Sequence, residues 1–328
     1  MKHSHSTLLV TATVAGLLLM PGRAVAQTPV FSDNFSSSTL NSAFSAPTAN
    51  STSYEAVSTE ALTTSSIGAG NLALGFGTGS GNGYQVQGLF ASSPVTLATF
   101  GDYIQLAVTF TDTGGFLTTA NGTLCAGMYN TGGVGPLAGG INNENSANTT
   151  AATGGAQNWL GYVGQITTNH PGILLRAAQI GTGNNNQDVA FGGAISTSKG
   201  YDNPALTLAT GNQSLFLSAN SQYTMVLTYA LTGVNTLAIS NSLYSGSGTG
   251  GTLLSEFDTT ASGANFLTNS FDGLAFGFYA NKNQNSAIDI NQITVSDVIQ
   301  PVPEPSALAL AGLGLLALTR RLRRRKAV

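Results

Sequence analysis

The chain has 328 residues, of which only 8% are charged, against the roughly 25% usual in soluble domains, and 41 are glycine. Apolar residues make up 42%, enough to bury a large core, which excludes an intrinsically disordered chain, and glycine shows no every-third-residue period, which excludes collagen. The net charge of −3 averages unlike segments: between Gln27 and Gln300, three cations (Arg176, Lys199, Lys282) face 13 of the 14 acids, so the middle carries 3 − 13 = −10 and repels nucleic acid and anionic membranes.

The first 26 residues hold Lys2, a mostly apolar run from Leu8 to Met20, then Pro21, Gly22 and the triplet Ala24-Val25-Ala26. That order is expected of a secretory signal peptide. The charge stays in the cytoplasm, the apolar run partitions into the Sec translocon, and Ala24 and Ala26 suit signal peptidase, which leaves Gln27 first. The alternative, an N-terminal membrane anchor, meets a run shorter than the roughly 20 residues needed to span a bilayer.

Residues 27–299 read as one all-β domain. In 103–111, Ile104, Leu106, Val108 and Phe110 share one face while Gln105, Ala107 and Thr109 share the other. In 223–229, Tyr223, Met225, Leu227 and Tyr229 alternate with Thr224, Val226 and Thr228. Period-two alternation of this kind makes half-buried strands. Further strands are expected at 71–76, 84–90, 123–129, 159–165, 173–179, 214–218, 236–240, 273–280 and 287–298, separated by Gly, Asn, Ser and Thr clusters. The longest loop, 130–157, is almost wholly Gly, Asn, Ala and Thr. A dozen strands without a helical stripe imply an antiparallel two-sheet β-sandwich.

Residues 300–328 form a separate tail. Val302, Pro303, Glu304 and Pro305 precede an uncharged apolar run, Ala307 to Leu318, and then the cations Arg320, Arg321, Arg323, Arg324, Arg325 and Lys326. The run is expected to be a short transmembrane helix with a proline near its start, where a missing N–H costs little. The basic cluster cannot be drawn across a bilayer and stays inside, so everything before the helix lies outside.

Triplet, apolar helix and arginine cluster, in that order at the C-terminus, resemble the PEP-CTERM sorting signal of Gram-negative bacteria. The resemblance implies recognition of the Pro-Glu-Pro triplet by exosortase, a membrane cysteine transpeptidase. It further implies transient inner-membrane insertion, removal of the tail, and transfer to the cell surface or an exopolysaccharide-rich biofilm matrix. A permanent single-pass anchor is the alternative. A second resemblance rests on Phe31-Ser32-Asp33-Asn34-Phe35, Trp159-Leu160-Gly161-Tyr162, the run 271–278 and the run 288–295. These are similar to concanavalin A-like, LamG-type jelly rolls, in which the first and last strands are neighbours, so 31–35 should lie beside 288–295; a parallel β-helix or another β-sandwich is the alternative.

Titratable chemistry is sparse. His3 and His5 leave with the signal peptide, so His170 stands alone in a turn sequence, and no Gly-x-Ser-x-Gly elbow supports a triad. Cys125 is the single cysteine, so no internal disulfide forms, and its strand neighbours predict a buried thiol. Glycosidases on the jelly-roll fold imply paired carboxylates on one strand. Glu256-Phe257-Asp258 ends in Ala261 rather than a second Glu, and Asp289 lacks both flanking glutamates, so no catalytic residue is expected. Asp33 and Asp289, with Asp272, Asp297, Asn34, Asn281 and Asn291, are hard oxygen groups near the paired ends. A structural calcium ion and Asx-type turns both account for them. For contact with polysaccharide, Trp159 and Tyr162 are the aromatic candidates; they point to opposite faces of their strand, so only one lines any given groove, and for Trp159 a core role is favoured over sugar stacking. Arg176 is expected in a partly buried ion pair. The domain is thus expected to act structurally or adhesively, with a carbohydrate-active enzyme or a passive self-assembling layer as alternatives.

Overall fold

The computed structural model describes residues 27–40, 45–58, 62–68, 70–76, 82–115, 117–118, 122–135, 156, 159–167, 172–176, 190–191, 207–211, 215–280 and 286–299. Residues 1–26, where a signal peptide is expected, His170, most of the 130–157 loop and the sorting tail lie outside them.

In chain order the strands are β1 (Thr28–Asp33), β2 (Thr39–Leu40), β3 (Ser53–Ser58), β4 (Leu62–Gly68), β5 (Asn71–Phe76), β6 (Asn82–Leu89), β7 (Val95–Thr96), β8 (Tyr103–Thr111) and β9 (Thr123–Asn130). They continue with β10 (Leu160–Thr167), β11 (Gly172–Arg176), β12 (Thr207–Thr210), β13 (Gln222–Gly233), β14 (Thr236–Ser245), β15 (Leu253–Ser262), β16 (Ser270–Phe271), β17 (Gly273–Ala280) and β18 (Ser286–Val298). One eight-stranded sheet runs β15-β14-β13-β8-β18-β5-β4, with β1 also on β18; a second runs β12-β11-β10-β9-β17-β6-β3-β2. All pairings are antiparallel except β2 with β3. Among the described residues no helix is long and apolar enough to cross a membrane.

The alternation read in the sequence builds the core. Ile104, Leu106, Val108 and Phe110 of β8 and Met225, Leu227 and Tyr229 of β13 are buried, and they pack with Tyr54, Val86, Leu124, Met128, Tyr162, Leu274 and Phe276 of the second sheet in one cluster. Burying each such side chain stabilises by roughly 1.5–3 kcal/mol before chain entropy is set against it. The chain closes on itself as the jelly-roll resemblance implied: β1 pairs with β18, with Phe31 opposite Val295 and Asp33 opposite Ile293.

Polar ties also cross between the sheets. The Tyr229 hydroxyl enters the backbone of the facing sheet, accepting from the Met128 amide at 3.3 Å and donating to the Tyr162 carbonyl, two residues that lie opposite one another in β9 and β10. Asn241 Nδ2 donates to the Gln165 carbonyl at 3.1 Å. An unpaired buried hydroxyl is costly, so these two bonds favour one placement of the sheets on each other.

Of the expected strand at 214–218, residue 214 lies outside the described residues and 215–218 are not in a strand. Leu217 instead donates one backbone bond to the Leu117 carbonyl, and the Ser218 amide donates to the Tyr223 hydroxyl. β3, β4, β12 and β15 were not anticipated. In β15 the inward side chains include Ser255, Thr259 and Ala261, so it carries too few large apolar residues for the alternation to show.

Replacing Tyr229 with Phe should cost about 1–3 kcal/mol, because the buried bonds that its hydroxyl makes to the Met128 amide and the Tyr162 carbonyl are lost. Urea unfolding checks this, and a loss under about 0.5 kcal/mol would show that the hydroxyl ties nothing.

Candidate functional site

Asp33 and Asp289 sit on opposite faces of the first sheet. Asp33 points inward between Phe31 and Phe35, whereas Asp289 lies between the inward Ile288 and Ile290 and faces out. One ion therefore cannot bridge them, and the shared calcium reading is corrected. The Asp33 carboxylate is filled by protein donors: the Phe35 amide at 2.7 Å, the Ser38 hydroxyl, and the Tyr54 hydroxyl of the facing sheet at 2.8 Å. Burial, followed by the Asp33 charge, raises the Tyr54 pKa well above its usual value, which keeps that hydroxyl a donor.

Asp272 and Asn34 hold backbone as Asx groups do. Asp272 accepts from the Thr131 amide and hydroxyl at 2.8 and 2.9 Å. Asn34 Oδ1 takes the Ser36 amide at 3.1 Å, and Asn291 Oδ1 takes Thr111 and Gln222. Asn281 lies outside the described residues. Among the described residues no three His, Cys, Asp or Glu side chains gather around a point.

Trp159 and Tyr162 do occupy opposite faces, and both are fully buried. Trp159 takes the core role favoured for it, and the alternative of sugar stacking by either ring is corrected, since neither presents a face to solvent. Tyr162 lies in the core against Tyr229, with ring centroids 5.4 Å apart. Trp159 lies on the outer face of the second sheet, where its indole N–H donates to the Val134 carbonyl at 2.8 Å.

That outer face is floored by glycines. Register places Gly161, Tyr129 and Gly273 in one row and Gly127 and Ala275 in the next. A methyl group at Gly161 or Gly127 would run into Tyr129, at Gly273 it would press on Thr131 and Trp159, and at Gly277 it would meet Phe191 at 2.9 Å. The missing side chains thus make notches, and the chain's own rings fill them. Tyr129 and Trp159 pack with ring centroids 5.5 Å apart and planes tilted by 39°, and the Ala190 amide donates to Gln85 Oε1 at 2.9 Å, holding Phe191 over the floor. Cys125 is buried in this cluster, as the sequence predicted. Arg176 is wholly buried at its rim and donates to the Ala156 and Trp159 carbonyls at 2.6 and 3.5 Å.

The first sheet's outer face is open by comparison. Gln105 Nε2 donates to Thr228 Oγ1 at 3.1 Å and Gln292 reaches Ser32 at 3.4 Å, while the Thr109 and Thr224 hydroxyls, which meet at 3.1 Å, are buried. Gln222, Gln292, Thr260, Glu256 and Asp258 are exposed there. Glu256 accepts from Ser242 at 3.4 Å on the edge strand β15. The sequence showed these residues only as the polar half of each alternation. Nothing in a single strand reveals that register would align them into one surface of hydroxyls, amides and carboxylates.

Residues 301–325 match the model of the PEP-CTERM protein-sorting motif, so the chain carries that signal, which marks it for export and membrane-anchored sorting to the cell surface. Solved structures with a similar arrangement include the carbohydrate recognition domain of Emp46p in its potassium-bound form. It is 13% identical, with 73% of this chain and 87% of that one covered at a TM-score of 0.39. The exoplasmic domain of VIP36, bound to calcium and Man3GlcNAc, is 12% identical, with 77% and 86% covered at a TM-score of 0.40. A protein of unknown function from Shewanella oneidensis MR-1 is 12% identical, with 92% and 99% covered at a TM-score of 0.37. No curated protein matches the sequence.

Two outcomes follow from the acids. Asp33→Ala should lower stability by about 3 kcal/mol through stranded donors, while the wild-type melting temperature stays the same in calcium and in chelator. A chelator-dependent fall in melting temperature would restore the ion. Separately, burial, then repulsion from Asp102, raises the Asp297 pKa, and burial alone does the same for Asp289. A raised carboxyl pKa means that the native state holds its proton more tightly than the unfolded chain, so this contribution is complete below the usual value of 3.8 and is lost as pH rises through the folded value. Asp297→Asn should therefore raise the urea midpoint at neutral pH and lose that advantage in acid. An equal gain at both pH values would show that charge is not the cause.

Proposed function

We propose that the chain is an exosortase substrate, delivered to the cell surface or extracellular matrix of a Gram-negative bacterium, where its sandwich acts structurally or adhesively through weak contact with neutral polysaccharide. The observation that carries this reading is the sorting motif at 301–325, placed directly behind a β-sandwich that ends at β18. Exosortase is the partner that the motif implies, with signal peptidase and the Sec translocon acting at the other end.

The glycan contact is assigned to the first sheet's outer face. Its side chains donate and accept hydrogen bonds without a described cation, which suits polyhydroxyl chains and disfavours polyanions. The glycine-floored face of the second sheet is already filled by Trp159, Tyr129 and Phe191, so a sugar there would have to displace packed aromatic rings. The reading is non-catalytic: Glu256 and Asp258 stand exposed on an edge strand, and Asp289 faces out on β18 with Asn71 as its hydrogen-bonding neighbour.

Purified residues 27–300, screened on neutral and acidic glycans with parallel hydrolysis assays, should bind neutral polysaccharide weakly and release no product. Replacing Gln105 and Thr228 with Ala should weaken that binding. Turnover abolished by Glu256→Gln or Asp289→Asn would instead make the protein a carbohydrate-active enzyme.

A further inference from the structure

Three large apolar side chains stand in solvent at one end of the first sheet. Phe100 is 59% exposed, Val234 80% and Ile299 40%. Register brings them to the same pole. Tyr103, at the start of β8, pairs with Val298 at the end of β18 on one side and with Ala230 near the end of β13 on the other. Phe100 precedes β8, Ile299 follows β18, and Val234 sits at the tip of the β13–β14 hairpin, on strands about 4.8 Å apart.

Both presenting turns are fixed. The buried Asp102 carboxylate accepts the Ala98 and Thr99 amides at 2.8 and 2.7 Å, its own amide donates to the Thr99 carbonyl, and Gly101 is tied to the Leu231 carbonyl at 2.8 Å. Phe100 is thus held at the tip of a pinned turn. At the other tip Asn235 takes a positive φ of 51° and the Thr236 hydroxyl donates to the Val234 carbonyl at 3.1 Å. Tips of this kind ordinarily carry polar residues.

The two chain ends emerge at the same pole. Thr28 lies opposite Asp297, so Gln27 leaves beside Ile299. From Gln300 to Ser306 a fully extended chain reaches at most about 25 Å before the apolar run that begins at Ala307. Whatever surface receives that run therefore lies within reach of Phe100 and Val234.

We infer that this pole docks on the lipid surface while the tail is inserted, with Phe100, Val234 and Ile299 entering the headgroup boundary. The proposal rests on the tail entering a bilayer. The acids near the pole, Asp102 and Asp297, oppose anionic headgroups, and the only cation among the described residues, Arg176, is on the other sheet, so the attraction is apolar and suits uncharged lipid. Docking would hold the domain upright over its own cleavage site.

The test uses the full chain in phosphatidylcholine vesicles containing spin-labelled lipid. A fluorophore is placed by Thr232→Cys at this pole, or by Ser247→Cys at the far end of β13 and β14, about 35 Å away; the native Cys125 is buried. Flotation of vesicles with protein reports insertion of the membrane segments, and quenching reports the pole. Lipid should quench the label at 232 and leave the one at 247 bright. The double variant Phe100→Ser with Val234→Ser should float and melt as the wild type does, yet show quenching about tenfold weaker. The proposal is overturned, with the tail reading intact, if floated chains show equal quenching at both positions or if the double variant is quenched like the wild type. Failure to float overturns both.

Discussion

The structure depends on β18. This strand pairs with β8 along one side and with β5 and then β1 along the other, so the last strand of the domain holds its first. Its period-two burial puts Ile288, Ile290, Ile293 and Val295 into the core, and the irregularity between Ile290 and Gln292 restores that face where one residue is out of step. A one-residue slip would turn those four side chains to water. The same pairing puts both chain ends at one pole, and it sets Asp33 and Asp289 on opposite sides of the sheet.

The two outer faces differ for a reason that lies in side-chain size. On the second sheet, Gly127, Gly161, Gly273 and Gly277 leave room that Tyr129, Trp159 and Phe191 occupy, and Arg176 closes the rim through carbonyl oxygens. On the first, Thr, Gln, Ser and Asn stand side by side and bond to one another. One face is thus filled with the chain's own rings, and the other is left polar among the described residues.

Much of the fold was legible because alternation between large apolar and polar residues survives in central strands: β5, β8 and β17 have the limits read from the sequence, and β18 begins one residue earlier. Edge strands were not. β15 faces the core with Ser255, Phe257, Thr259 and Ala261, and β12 is only four residues long, so neither shows an apolar rhythm. The site was less legible still. Trp159 and Tyr162 were placed on opposite faces by parity and a core role was favoured for Trp159, but what packs above that ring, including the distant Val134, Ala156 and Phe191, was not legible. The resemblance to a jelly roll foretold the neighbouring first and last strands, and the parity of Asp289 against Ile288 and Ile290 then decided against a shared ion.

The scarcity of cations has a consequence for persistence outside the cell. Between Gln27 and Gln300 a trypsin-like protease finds only the bonds after Arg176, Lys199 and Lys282. Arg176 is sealed beneath the second sheet's aromatic cover, with its guanidinium engaged by two carbonyls. A secreted digestive enzyme of that specificity would have two bonds left to try in the whole domain, which is a form of durability written in composition rather than in cross-links.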